Sequence, residues 1–204
     1  MSDVPALVRA HLRDQFAGLG ITAEPAEASV TFVGAEPIDI LRFGFAERLP
    51  VDPDSPAAHY VSVGCSRHPM VDPAVASADR AVGPRAEVTV ALRGPAPPGL
   101  ARSVAVLAAT PAVEGLILEP DALVDLETPL WQGAPFTAYL LGRSEINDIL
   151  LPEPLSPVSV LSAVPITATE AAWVRLRGAA AMREAWLQDG VDPTDPRRRA
   201  VSPA

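Results

Sequence analysis

The stretch AEVTVAL at residues 86–92 alternates strictly, with Ala86, Val88, Val90 and Leu92 on one side of an extended chain and Glu87, Thr89 and Ala91 on the other. Period-two alternation of this kind marks a strand with one face against a core. HYVSVGC at 59–65 repeats the pattern and places His59, Val61, Val63 and Cys65 on a common face. Upstream, ASVTFV at 28–33 and the run from Ile38 to Phe45 carry β-branched and aromatic residues between turn signals, which predicts two further strands.

Outward from these strands the periodicity changes. Residues 3–19 space Val4, Val8, Leu12, Phe16 and Leu19 by three and four, with Asp3 as N-cap and Pro5 in the first turn, which predicts an amphipathic helix. After the Pro-rich connector 95–99, Leu100, Val104, Leu107 and Ala108 recur at helical spacing until Pro111. Leu116 to Leu118, Ala138 to Leu141 and Val158 to Ile166 read as strands. Thr167 and Glu170 then form a capping-box signature ahead of a last helix carrying Trp173, Leu176, Ala180 and Leu187, with Gly178 as a candidate kink. Strands and helices do not alternate one by one, so the expected class is α+β: a mixed, mainly antiparallel sheet packed with about three helices. A single domain over residues 1–204 is expected, with its core at about 28–190 and a loosely packed tail at 191–204.

Composition narrows the function classes. All 16 basic residues are Arg, against 25 acidic ones, for a net charge of −9. Such a chain repels phosphate backbones, which argues against nucleic acid and fits a basic protein partner. Uncharged runs fall short of the ~18 residues a membrane span needs, and the early Arg9, His11 and Arg13 leave no apolar signal core, so the expected setting is the cytoplasm. Cys65 is the sole cysteine, which removes intrachain disulfides and thiolate metal clusters. With only His11, His59 and His68 besides, neither a metal site nor a cofactor is expected.

No phosphate loop, dinucleotide fingerprint, zinc-protease motif or nucleophile elbow occurs. The one nucleophile candidate is Cys65. His59 shares its strand face but lies about 20 Å away along a straight strand, whereas His68 follows across a turn and is the candidate base of a thiol-enzyme alternative. The acids Glu119, Asp121, Asp125 and Glu127 read as a solvated loop, and Arg197 to Arg199 as a solvated tail. The segment Ser66 to Met70 joins a forked donor, Arg67, a titratable ring, His68, and an adaptable apolar contact, Met70, on a loop presented by a strand. These three, with Trp131 as an aromatic anchor, are the candidate partner-binding residues.

YVSVG with SRHPM at 60–70, PRAEVTVALRG at 84–94, PLWQGAPFTAYLLG at 129–142, VPITATEAAWVRLRGA at 164–179 and DPTDPRRRA at 192–200 together resemble the bacterial branch of the suppressor of fused family, over roughly residues 28–200. The resemblance implies a mixed α/β domain and stoichiometric protein binding. In animals the family's namesake restrains a transcription factor by gripping a short segment of it between two domains, partly as an added strand. Bacterial relatives are proposed to be immunity proteins that neutralise secreted toxins. A sequence of 204 residues is expected to hold only one domain, so the two-domain clamp is not carried over. What the resemblance implies here is an adaptor or immunity-type binder, with an exposed sheet edge or the 66–70 loop as the expected contact surface.

Overall fold

The structure, a computed structural model, describes residues 3–44, 56–71 and 82–201. Helix α1 (Val4–Gly18) begins where the Asp3 carboxylate accepts the Ala6 amide at 3.2 Å, and it buries Val4, Val8, Leu12 and Phe16. Three strands follow, β1 (Ala26–Val30), β2 (Ile38–Phe43) and β3 (Ala58–Val63), then a single 3₁₀ turn at Cys65–Arg67 and strand β4 (Arg85–Leu92). Helix α2 (Leu100–Glu114) precedes β5 (Leu123–Asp125), β6 (Phe136–Arg143) and β7 (Val158–Thr167), and α3 (Ala168–Arg177) and α4 (Ala179–Gln188) come last. Among the described residues no helix is long and apolar enough to cross a membrane.

The seven strands form one sheet in the order β1-β2-β3-β4-β7-β6-β5. Every neighbouring pair is antiparallel except β4 and β7, which run parallel at the centre, with Arg85 opposite Val158. The expected α+β class with a mixed, mainly antiparallel sheet is therefore what the chain adopts. Strand β7 shows how the layers divide. Its Leu161 and Ala163 face α2, whereas Val158 and Val160 pack with α1 and Val164 and Ile166 with α3 and α4. One face thus carries α2, and the other is shared by α1 and the α3–α4 pair. Phe16 stacks on Phe43 at 4.1 Å between ring centroids and anchors α1.

Several boundaries differ from the sequence reading. Leu116 to Leu118 form no strand; the edge strand is Leu123–Asp125, too short to show alternation. Helix α2 runs past Pro111 because the Thr110 hydroxyl donates at 2.7 Å to the Leu107 carbonyl, the acceptor that the missing proline N–H would have served. Gly178, at φ 86°, breaks the last helix in two instead of kinking it.

The expected loose tail is corrected over its described part. Arg198 is 7% exposed and Val201 is 4% exposed. The Arg198 guanidinium donates to both oxygens of Glu170, at 2.7 and 3.0 Å, and to the Pro165 carbonyl, and it lies over the rings of Phe136 and Trp186. Arg198 is thus a core residue embedded in a basic run, not part of a solvated end.

Candidate functional site

Two surfaces flank α2. At its start, Gly99 adopts φ 97°, a left-handed conformation that favours glycine, and the Gln132 N–H donates to the Pro98 carbonyl at 2.9 Å. This joins the helix N-terminus to the loop that follows β5 and leaves between them an open groove of about 800 Å³. Arg102, Glu114, Asp125, Glu127 and Gln132 supply its polar lining. Trp131 contributes to the wall, yet it is 7% exposed and tilted against Phe136 at 5.3 Å, so it is a core residue and not an exposed anchor.

Strand β5 borders this groove and is one edge of the sheet. The Leu126 N–H bonds Thr137 on β6, so by antiparallel alternation Val124 points its backbone groups inward and Leu123 and Asp125 point theirs away from β6. The edge is held stiffly. Arg175 on α3 binds the Asp125 carboxylate at 2.6 Å and Arg183 on α4 binds that of Asp121. Burial pushes the Asp125 carboxyl up, but Arg175 and the Glu127 amide more than offset this and hold it below the usual carboxylate range. Asp121 and Glu127, just outside the strand at either end, adopt positive φ of 74° and 58°. This region is uncommon for non-glycine residues; Asp121 is ion-paired with Arg183 there, and the Glu127 amide donates to the Asp125 carboxylate at 3.0 Å.

At the other end of α2 lies the turn that follows β3. Glu87, fully buried, receives hydrogen bonds from the Ser62 hydroxyl, the Gly64 and Ser66 amides and the Ser66 hydroxyl. Desolvation raises its carboxyl above the ordinary value, and these four donors work against that rise. Arg85 clamps the same turn by donating to the Ser66 and Arg67 carbonyls at 2.8 and 2.9 Å. The turn is therefore a rigid platform. From it Arg67 reaches Glu36 at 3.5 Å, and His68, its side chain 68% exposed, lies 3.3 Å from the same carboxylate. Met70 does not join them: it is 5% exposed, packs in the α2-side core and meets the Leu118 amide through its sulfur. Of the four candidate contact residues, the structure brings Arg67 and His68 together and places Met70 and Trp131 inside.

Cys65 is half-buried in the 3₁₀ turn. Gly64, at φ 126°, ends the alternation, so Cys65 packs on the α2 side while Val61 and Val63 pack with α1, contrary to the expected common face. Burial and the nearby Glu87 carboxylate both push the thiol well above its usual range. No hydrogen bond links it to His68 among the described residues, and His59 packs against Phe16. This arrangement disfavours the thiolate that a nucleophile needs. Among the described residues, no cluster of three or more His, Cys, Asp or Glu side chains can hold a metal ion.

Sequence reasoning expected a sheet edge as a contact surface but located neither the strand that forms it, nor the groove beside it, nor the Glu87 cluster. A carboxylate in an otherwise apolar strand was the available signal for Glu87; nothing in three residues of β5 announces an edge.

A seven-stranded mixed sheet with one edge beside an open groove and a braced turn beyond β3 defines an α+β domain. The chain belongs to the suppressor of fused family, whose model, described as suppressor of fused protein, matches residues 34–199. No curated protein matches the sequence. Among solved structures, a SUFU homolog from Neisseria gonorrhoeae FA 1090 is 16% identical with a TM-score of 0.66, the match covering 99% of this chain and 98% of that one. The Sufu–Fu complex matches at 14% identity and a TM-score of 0.66, over 97% of this chain and 92% of that one. Drosophila Suppressor of Fused matches at 14% identity and a TM-score of 0.65; 95% of this chain covers 50% of that one.

Proposed function

We propose that this chain is a non-catalytic binding module that captures an extended, basic segment of a partner protein along the outer edge of β5, with partner side chains entering the groove beside α2. The observation that carries this reading is the open edge of β5 lying directly against that groove. Leu123 and Asp125 offer outward-facing backbone groups for strand addition, and the groove offers room for alternate side chains. The groove carboxylates of Glu114 and Glu127 and the net charge of −9 favour a basic partner. That the Sufu–Fu complex is itself an assembly with another protein is in keeping with such a role. The role we infer is that of a bacterial adaptor or toxin-neutralising immunity protein acting stoichiometrically in the cytoplasm. Arg67 and His68, at the far end of α2, form a secondary contact for a longer partner segment.

The test is a paired measurement. Partners captured from the host are identified by mass spectrometry and titrated against wild type, Leu123→Ala and Leu123→Pro, the last of which removes one outward N–H while sparing the inner ladder. Affinity should fall at least tenfold for Leu123→Pro relative to Leu123→Ala, which loses the same packing against α3 and α4 but keeps the outward N–H. Arg67→Ala should weaken binding by about 1 kcal/mol or more with little loss of stability. Equal affinity in Leu123→Pro and Leu123→Ala removes the edge from the reading, and full affinity in Arg67→Ala removes the turn.

A further inference from the structure

On the sheet face opposite α2, the two helical layers do not meet. Helix α1 covers β2 and β3 around Leu41, Phe43 and Val61, and α3 with α4 covers Ala138, Leu140 and Ile166. Between them the strands present small or polar side chains, Thr89 and Ala91 on β4 and Ser162 on β7, which do not fill the gap. What remains is a cavity of about 360 Å³. That volume lies within the range of small-molecule sites.

Two features set it apart from a packing defect. Thr89 is 4% exposed, and its hydroxyl has no hydrogen-bond partner among the described residues. The Nδ1 of His59 is likewise buried and unpartnered, and both residues line the cavity. Thr89 pairs with Val61 and His59 with Ala91, so the two side chains share a face as diagonal neighbours across β3 and β4, within reach of one bound molecule. Buried polar groups of this kind are normally satisfied, and Val at position 89 would fill the same volume with no polar atom to satisfy. Desolvation lowers the basicity of His59, with Glu145 opposing, so the ring is held towards its neutral form.

We propose that this cavity binds a small, uncharged, largely apolar molecule bearing one hydroxyl or ring N–H group, seated on the sheet with that group hydrogen-bonded by Thr89 and His59. Ala91, Ile146, Val164 and Pro165 supply the apolar wall. Arg143 and Glu145 also line it, and their opposite charges leave no net field to select an ion. The class is that of phenols and indoles. The site is separate from the β5 edge and does not depend on the binding role proposed above.

Phenol and toluene form a matched probe pair, the same ring with and without a hydroxyl. Titrated into isotopically labelled wild-type protein, both should give saturable shifts at the amides of Thr89, Ala91 and Val164, with phenol the tighter. Thr89→Val should weaken phenol about tenfold, the loss of one hydrogen bond, and leave toluene within about twofold. Its melting temperature should hold or rise, since a buried hydroxyl is removed. Absence of saturable shifts for both probes in wild type overturns the site without reference to any variant. Equal weakening of both probes by Thr89→Val overturns the assigned hydrogen bond, and a soaked crystal showing only water between Thr89 and His59 overturns the ligand class.

Discussion

Glu170 carries two jobs at once. As the third residue of α3 it closes the capping box with Thr167, and as a buried anion it holds Arg198, the Trp186 indole N–H at 3.1 Å and the Val201 amide at 3.3 Å. Desolvation alone would raise its carboxyl, but Arg198 and the amide and indole donors outweigh that and depress it. Arg198→Ala leaves this anion buried without its counter-ion and should cost about 3–5 kcal/mol, read from the shift in denaturant midpoint. The pH dependence has a definite sign. A carboxyl depressed in the folded state contributes stability above its unfolded value, and that contribution is lost as pH falls through the folded one. The stability deficit of Glu170→Gln relative to wild type should therefore be greatest near neutrality and shrink below about pH 4. A deficit that stays constant from pH 7 to pH 3 would mean that the charge of Glu170 is not what holds Arg198. The sequence shows half of this hub. Thr167 and Glu170 are a legible cap because the capping box is local, whereas Arg198 sits in a run of three arginines whose burial depends on a contact 28 residues away.

The elements follow local chemistry most closely where a side chain serves the nearest backbone. The Thr167 hydroxyl accepts the Glu170 amide at 3.2 Å, so Thr167→Ala should cost about 1 kcal/mol in a denaturant melt, and an unchanged midpoint would place the stability of α3 elsewhere. The last turn of α2 follows the same logic. Thr110→Val keeps the shape and leaves the Leu107 carbonyl without its donor, so it should destabilise by about 1–2 kcal/mol and loosen amide-exchange protection after Pro111. Strands with clean alternation, β3 and β4, are legible to within a residue or two. The misreadings share a cause: Leu116 to Leu118 is apolar but serves a connector, and Leu123 to Asp125 becomes a strand through pairing with β6 and not through any pattern of its own. The turn after β3 was legible as a loop that presents Arg67 and His68. Its support by Glu87 and Arg85 was not, because both lie in a strand whose alternation assigns them no partner.

At the scale of the whole molecule, the sheet is two meanders joined by a seam. Strands β1 to β4 pair in sequence order, as do β5 to β7, and only the parallel pairing of β4 with β7 unites them. Neighbouring strands within each meander are separated by 7 to 21 residues, whereas the seam brings together residues about 70 positions apart, so more chain entropy must be lost before its contacts form. Assembly should then proceed in order, hairpins first and seam last. Val61→Ala, inside the first meander, should slow folding in stopped-flow kinetics. Leu161→Ala, on the seam, should leave the folding rate nearly unchanged and accelerate unfolding. Equal slowing by both would place the seam in the folding nucleus. Until the seam closes, β4 and β7 are unpaired edges of apolar strands, the species most exposed to misassembly with a second copy. The slowest contact of the fold is thus also the one that guards the nascent chain against aggregation.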